Sequence, residues 1–296
     1  MHFERPSTNY ELVDFGQGRK LELFGGHLID RPSPAAEGAS KACPESVWAS
    51  AARFDRFAAD RGEWRAGAGL TPLPERWQIR HRQFVLELRA TPAGQLGVFP
   101  EQVANWDWLT EQISAAAQPV TLLNLFAYTG ASSLAAAAAG AEVTHVDAAR
   151  NIVAWARRNA ELSSLAQAPI RWIVDDAVTF VRRELKRGRH YDWIVLDPPS
   201  YGHGAQGQSW KLADDLEPLL NDCVRLRSSR LGGLLLTCHT PGFGPRELRE
   251  LLVRAAGLGE VESQPLVLES RDGRLLAGGA MARMVVRSVF APETDR

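Results

Sequence analysis

At 296 residues the chain has room for one large domain or two modest ones, each with a substantial core, and its net charge of −1 lacks the overall positive field of a protein that binds nucleic acid by bulk charge. A local basic face stays open. The three cysteines, Cys43, Cys223 and Cys238, are odd in number and far apart, which argues against a disulfide framework or a zinc site and fits a reducing cytoplasm with no metal.

No apolar run approaches the ~20 residues that a membrane span needs. Glu4 and polar neighbours stand where a signal peptide would need an apolar core, so the expected localisation is cytoplasmic, with no membrane partner. Nearly all positive charge is arginine, the lysines being Lys20, Lys41, Lys186 and Lys211; a bias of the coding sequence accounts for this as well as guanidinium contacts to phosphate do.

Residues 1–102 lack a regular alternation of strand and helix and contain no internal repeat. Residues 11–15 and 20–24 flank Gly16-Gln17-Gly18 and predict a hairpin, followed by a loop with Pro32, Pro34 and Gly38. Val47, Ala51, Phe54 and Ala58 recur at helical spacing and predict a helix over 47–60, whereas 77–90, with Ile79, Phe84, Leu86 and Leu88, predicts one or two strands. The expectation is a small β-rich domain with one helix. Its Trp48, Trp64 and Trp77 suit core or interdomain packing better than base stacking, and Arg76, Arg80, Arg82 and Arg89 suit a solvated strand face as well as phosphate contacts. Leu96-Gly97-Val98-Phe99-Pro100-Glu101-Gln102 then leads into a helix with Trp106, Trp108 and Leu109, and marks the junction with a second domain, residues 103–296. Glu101 and Gln102 would lie over the carboxyl edge of the sheet that follows, or cap the helix.

Residues 120–126 form a short apolar run that reads as a strand buried on both faces. Tyr128 to Ser132 is a tight turn, Ala135 to Ala139 has maximal helix propensity, and Gly140 stops the helix. Residues 142–147 make a second strand that ends in Asp147. This unit suits a nucleoside: the turn faces the ligand and the acid accepts from both ribose hydroxyls. A dinucleotide site wants Gly-x-Gly-x-x-Gly to bring a helix N-terminus to a pyrophosphate, and only Gly130 is present. A ligand with a ribose and no phosphate, such as S-adenosylmethionine, has no such need. An ordinary βαβ unit without a ligand would show the same turn.

Beyond Asp147 the alternation is regular: helices over 149–165, 178–187, 214–227 and 246–256, and strands over 170–174, 191–196 and 233–240. Two late strands, 261–268 and 281–290, are joined through Asp272-Gly273 and Gly278-Gly279. The pattern predicts a doubly wound α/β sheet, largely parallel, with an antiparallel edge pair.

In such a sheet, ligands bind outside the carboxyl ends of the strands. Three successive strands end in Asp147, Asp176 and Asp197, and a fourth in Thr237-Cys238-His239-Thr240. In a methyl-donor site Asp147 would hold the ribose, Asp176 the adenine amino group, and Phe126, Tyr128, Thr129 and Gly130 the methionine portion. Asp197-Pro198-Pro199 fixes the backbone after a buried strand and leaves carbonyls beside a carboxylate, an acceptor set for the amino group of a planar base, with Tyr201 to stack on its face. A rigid strand-ending turn is the simpler alternative. His203 and His239 are further possible base contacts.

Phe99-Pro100-Glu101-Gln102, Asn124-Leu125-Phe126-Ala127-Tyr128-Thr129-Gly130, Val146-Asp147, Arg158-Asn159, Asp175-Asp176-Ala177 and Asp197-Pro198-Pro199-Ser200-Tyr201, in this order, resemble the class I S-adenosylmethionine-dependent methyltransferases. The likeness is to the branch of bacterial large-subunit ribosomal RNA base methyltransferases, cytosine C5 and guanine N7 enzymes among them. The resemblance implies a Rossmann-like seven-stranded sheet with an antiparallel final strand, S-adenosylmethionine as cofactor and RNA as partner. It implies cofactor contacts from Glu101, Gln102, Asn124, Phe126, Tyr128, Thr129, Gly130, Asp147, Ala148, Asn159, Asp176, Ala177 and Asp197, and acceptor chemistry at Asp197, Pro198 and Tyr201. The amino-terminal domain does not resemble the RNA-binding PUA module of several of these enzymes. A cytosine C5 enzyme needs a thiol to attack C6, and Thr240 stands where the resemblance puts that cysteine; Cys238, two residues earlier, is the candidate nucleophile or a buried structural cysteine. A small-molecule or protein amine acceptor, and a non-catalytic RNA-binding protein that keeps the fold, are the competing functions.

Overall fold

The computed structural model describes residues 9–58, 61–69, 71–203, 209–228, 232–257 and 260–286. It divides into two compact units, Met1–Val103 with Arg158–Ser164 and Leu266–Gly278, and Ala104–Arg157 with Leu165–Pro265 and Gly279–Arg296.

In the first unit β1 (Tyr10–Gly16), β2 (Arg19–Phe24), β3 (His27–Pro32), β4 (Ala52–Ala58) and β5 (Arg61–Arg65) form one sheet in that order, and β6 (Trp77–His81) pairs with β7 (Phe84–Leu88). The expected hairpin is β1 against β2, turning through Gln17 and Gly18 at φ of 53° and 71°. The helix predicted over 47–60 is a correction: a short helix, α1 (Glu45–Ala49), gives way to strand β4. The apolar residues fit a 3.6-residue period, but Ala52 and Phe54 are buried on either side of exposed Arg53, which is the two-residue period of a strand. Distant partners decide the matter. β4 pairs with β3 and β5, and the Phe54 ring lies against glycine backbone at Gly62 and Gly94, where an added Cβ would come within 2.2 and 2.3 Å of it. Trp48 and Trp77 are buried, and the Trp64 indole donates to the Thr91 carbonyl at 2.7 Å. Arg76 and Arg89 approach Glu87 at 3.9 and 2.6 Å.

Asp14 ties this unit together. It is fully buried and accepts from the backbone N–H groups of Phe15, Ala42 and Cys43 at 2.8, 3.0 and 2.8 Å, from the Trp48 indole at 3.0 Å, and from the Arg274 guanidinium. Arg274 also donates to the Phe15 and Ser40 carbonyls at 3.1 and 2.8 Å and lies over the Phe15 ring. Burial by itself would raise the Asp14 pKa, but the Cys43 and Ala42 N–H groups, the indole and the guanidinium outweigh it and hold the carboxyl below its ordinary value.

The seven-stranded sheet is built from β8 (Thr121–Leu125), β9 (Glu142–Asp147), β10 (Ile170–Val174), β11 (Trp193–Leu196), β14 (Gly232–Cys238), β15 (Val261–Glu269) and β16 (Leu275–Val286), in the order β10-β9-β8-β11-β14-β16-β15. Between β11 and β14 a small hairpin, β12 (Tyr201–His203) with β13 (Ser209–Lys211), occupies a stretch that carries no strand signal in the sequence. The strands from β10 to β14 are parallel, and β16 runs antiparallel to β14. The expected last strand over 281–290 begins earlier, at Leu275, and residues 287–290 lie outside the described residues. Helices α2 (Val103–Ser114), α3 (Ala131–Ala138), α4 (Arg150–Leu162), α5 (Ala177–Lys186), α6 (Leu212–Leu226) and α7 (Pro245–Ala256) complete the alternation. Phe180, Val181, Leu216, Leu220, Leu248 and Leu252 of α5, α6 and α7 pack with Leu123, Ile194 and Leu234 of the sheet. Each such leucine contributes about 1.5–3 kcal/mol by burial. The chain leaves β8 for β9 and β10 on one side and returns to β11 on the other, so the order reverses between β8 and β11. Among the described residues no helix is long and apolar enough to cross a membrane.

Asp14→Ala leaves the Trp48 indole and the Cys43 backbone N–H without their acceptor, while the partly exposed Arg274 keeps Asp272 at 2.6 Å. A loss of about 1–3 kcal/mol in urea unfolding is expected, the cost of leaving buried donors unsatisfied. Because the folded pKa lies below the unfolded value of about 3.9, the wild-type contribution is full above that pH and fades as pH falls through the folded value. The difference between wild type and variant should therefore shrink only in that acid window.

Candidate active site

Strand register decides which residues share the carboxyl edge of the sheet. Val146 opposes Leu125, Leu125 opposes Leu196, and Leu196 opposes Leu236. One residue further on, Asp147, Phe126, Asp197 and Thr237 follow in line. Strands are spaced about 4.8 Å apart, so the two acids flank Phe126 with roughly 10 Å between their backbones. This row sits at the point where the strand order reverses, the place where open α/β sheets bind ligands.

The turn after β8 is strained. Phe126 and Tyr128 have φ of 54° and 48°, a left-handed backbone that costs an L-residue about 1–2 kcal/mol. Asp147 holds it there: Oδ2 accepts the Tyr128 N–H at 2.9 Å and Oδ1 accepts the Ala149 N–H at 3.0 Å, while the Ala127 N–H reaches the Val146 carbonyl at 3.1 Å. Burial raises the Asp147 pKa more than these two N–H groups lower it. An ionised carboxylate offers about four acceptor sites. With one taken by Tyr128 of the turn and one by Ala149 after β9, it retains the capacity for two more donors, which is what a pair of vicinal hydroxyls requires.

Gly130 has φ of 93°, and a Cβ there would meet the Ala156 Cβ at 3.2 Å and the His145 ring at 3.6 Å. Its smallness answers to the left-handed turn and to the close approach of α4. Asn124 lies beneath the turn, donating to Ser133 Oγ at 2.9 Å; Ser133 in turn bonds His145 Nδ1 at 3.0 Å. Burial pushes the His145 pKa down to about 3, so this imidazole is neutral and structural. Thr129 is buried and Ala148 is partly buried beside Asp147. At the end of β10, Asp176 caps α5 by accepting the Thr179 N–H at 2.8 Å, and Asp175 faces Arg183 at 2.6 Å. Ala177 is buried in the core as the first residue of α5.

Asp197 is the other centre. Its Oδ1 accepts from Thr237 Oγ1 at 2.6 Å and lies 3.3 Å from His239 Nε2. Alternation along β14 and its continuation puts residues 237 and 239 on one face and Cys238 on the other. Cys238 accordingly packs in the core, 1% exposed, with Sγ accepting the Thr240 N–H at 3.4 Å. Burial raises its thiol pKa and so keeps the proton on, which is the state of a structural cysteine. Ser200 and Thr240 share a hydrogen bond at 2.7 Å that links the two strand ends.

The expected pair of outward carbonyls after Asp197 is reduced to one. The Trp210 indole takes the Pro199 carbonyl at 2.7 Å, whereas the Pro198 carbonyl has no hydrogen-bond partner among the described residues. Trp210 is buried, its ring 5.0 Å from that of Phe126, so it joins the two turns. Sequence reasoning passes over Trp210, because only the return of the hairpin brings it back. Tyr201 is 76% exposed, and the side chain of His203 lies outside the described residues.

Three expected cofactor residues belong to the first unit. Gln102 is buried, Glu101 lies against Gly278, where a Cβ would be 3.0 Å from its own, and Asn159 accepts the Glu87 N–H at 2.8 Å. Among the described residues no group of three or more His, Cys, Asp or Glu side chains is placed to hold a metal ion.

A doubly wound sheet with a strained turn and a partly buried acid on each side of its reversal point defines a nucleoside-binding enzyme fold. A family profile described as S-adenosylmethionine-dependent methyltransferase matches residues 45–267, and the chain belongs to that family. It is thus a methyltransferase with S-adenosylmethionine as cofactor, and the acceptor capacity at Asp147 fits that group. The SAM-dependent methyltransferase from Agrobacterium tumefaciens is 39% identical, superposes with a TM-score of 0.87, and is matched over 93% of this chain and 90% of its own. Ribosomal RNA large subunit methyltransferase K/L of Syntrophotalea carbinolica is 34% identical over 42% of this chain and 17% of its own length. Ribosomal RNA large subunit methyltransferase I of Aeromonas hydrophila is 32% identical over 46% of this chain and 34% of its own. The chain therefore spans only a minor part of these curated relatives.

Gly130→Ala tests the turn. With left-handed φ and a Cβ at 3.2 Å from Ala156, it should lower unfolding free energy by about 1–2 kcal/mol, read from the urea midpoint at unchanged slope.

Proposed function

We propose that this chain methylates a nitrogen of a nucleobase in ribosomal RNA. The observation that carries the reading is the row of Asp147, Phe126 and Asp197 at the sheet's reversal point, one acid for each partner of the reaction. The bound cofactor supplies a methyl carbon activated on a sulfonium. Asp147 would accept both ribose hydroxyls with its two remaining acceptor sites, and Asp176 the adenine amino group. Phe126, Tyr128, Thr129 and Gly130 would line the methionine portion, with Ala148 and Ala177 alongside. Asn124 supports the turn from beneath. On the acceptor side, Asp197 and the Pro198 carbonyl would accept from the base, and the exposed Tyr201 ring would stack on it. Catalysis then rests mainly on orientation. The RNA assignment is supported by the names of the two curated relatives. Division into an amino-terminal domain, residues 1–102, and a methyltransferase domain, residues 103–296, belongs to the same proposal. Because Cys238 points into the core, attack by a thiol forms no part of it.

Ribosomal RNA from cells lacking this gene, incubated with methyl-labelled S-adenosylmethionine and the enzyme, should take up label at one nucleotide on mapping. Labelling of small amines or proteins with none in RNA would overturn the reading. Calorimetry with S-adenosylhomocysteine tests Asp147 separately. Asp147→Ala should bind about 10- to 100-fold more weakly at neutral pH, the loss of one or two hydrogen bonds to a charged group. The ionised form is the acceptor and burial raises its pKa, so wild-type affinity should begin to fall above the ordinary carboxylate range as pH drops.

A further inference from the structure

We propose that the outer face of β6 in the first unit, through Arg76, Gln78 and Arg80, holds the phosphate backbone of an RNA strand; the inference rests on the reading of this chain as a methyltransferase for RNA. Residues 77–81 alternate strictly, with Trp77, Ile79 and His81 buried and Gln78 and Arg80 exposed. Arg76, immediately before the strand, has 54% of its side chain exposed. The outer face thus carries two arginines and a glutamine with no acid among them. At about 3.3 Å per residue the two arginine backbones stand roughly 13 Å apart, with Gln78 midway. Each step along the face is close to the separation of neighbouring phosphates on an extended strand. The buried side fixes this platform. The Trp77 ring meets His27 edge-on at 5.6 Å between centroids, and the Asn9 N–H donates to the Arg80 carbonyl at 3.3 Å. Gly25 lets the chain come against the strand: a Cβ there would lie 2.6 Å from the Gln78 carbonyl oxygen. A face held in advance lowers the entropy lost on binding.

The charge of the row is not neutralised within the protein. Arg76 comes no closer than 3.8 Å to Glu75 and 3.9 Å to Glu87, beyond hydrogen-bond reach. Glu87, which opposes Gln78 on β7, is instead held by Arg89, whose Nε and Nη2 donate to one of its oxygens at 2.8 and 2.6 Å. Among the described residues the Arg80 guanidinium has no acidic partner, and Val85, which opposes it, is buried. Arg82 follows in the two-residue turn between His81 and Phe84 and adds a third exposed arginine at the end of the row. A chain of net charge −1 has no bulk field to attract a polyanion, so the attraction has to come from a local row of this kind. Guanidinium forks match phosphate oxygens, and a glutamine amide donates to them without adding charge. A regular row suits the regular repeat of a sugar–phosphate backbone, which an acidic protein surface lacks. Contacts of this type position a strand and carry no sequence information, so the choice of base falls to other residues.

Filter binding of end-labelled ribosomal RNA from cells lacking this gene, repeated over a range of salt, tests the row. Each phosphate contact to a single strand contributes about 0.7 to the slope of log K against log salt. The double variant Arg76→Ala, Arg80→Ala should therefore lower that slope by about 1.4, and weaken binding about 10-fold or more at low salt, with the urea midpoint unchanged. Arg80→Lys keeps the charge and should keep the slope. Arg246→Ala, the loss of an 83% exposed arginine on α7, should change neither. In methyl transfer the double variant should raise KM and leave kcat and S-adenosylhomocysteine affinity as in the wild type, the mark of contacts made equally before and during the reaction. Equal slope and affinity in wild type and double variant overturn the proposal, as does an equal fall in slope with Arg246→Ala. Polyglutamate that competes as well as RNA of the same charge also overturns it. RNA binding that depends on the row, in an enzyme that labels no RNA, defeats the functional reading and leaves the docking face standing; labelling of RNA that the double variant leaves untouched does the reverse.

Discussion

One partly buried carboxylate sets the geometry of the turn after β8. Asp147 gathers the N–H groups of Tyr128 and Ala149, and the bond to Tyr128 ties the left-handed backbone at Phe126 and Tyr128 to the end of β9. Strain of this kind persists only where surrounding contacts over-determine it, and it concentrates where a chain must present groups to a ligand. Without the acid the turn has no reason to hold two bulky residues in that conformation. With it, Phe126 is placed between the ends of β9 and β11, and the rest of the edge follows from register.

The end of β11 is built by the same means around a second acid. Asp197 draws Thr237 and His239 from the neighbouring strand, and the Ser200 to Thr240 bond closes the gap between the strand ends. Trp210 links the two centres, touching Phe126 with its ring and the Pro199 carbonyl with its indole. The turns after β8 and β11 are therefore not independent: one buried indole touches both.

In the first unit the analogous role falls to Asp14, where three kinds of donor, backbone N–H groups, an indole and a guanidinium, converge on a carboxylate that is kept ionised. Here the carboxylate is consumed by the fold, since every group around it is a donor from the protein itself. Asp147, with two bonds, keeps capacity for a ligand.

Much of this was legible in the sequence because it depends on local chemistry. Apolar runs followed by Asp147, Asp176 and Asp197, with helices of regular spacing between them, determined a doubly wound sheet. Gly130 in place of a glycine-rich fingerprint determined that the ligand has no pyrophosphate to hold. Tertiary structure decided what depends on partners far along the chain. Phe54 sits in a strand because β3, β5 and the glycines at 62 and 94 are there to receive it, though its own neighbours are spaced as in a helix. Cys238 and His239 differ in role because alternation in β14 turns one to the core and the other to Asp197, and a linear reading offers no way to tell which.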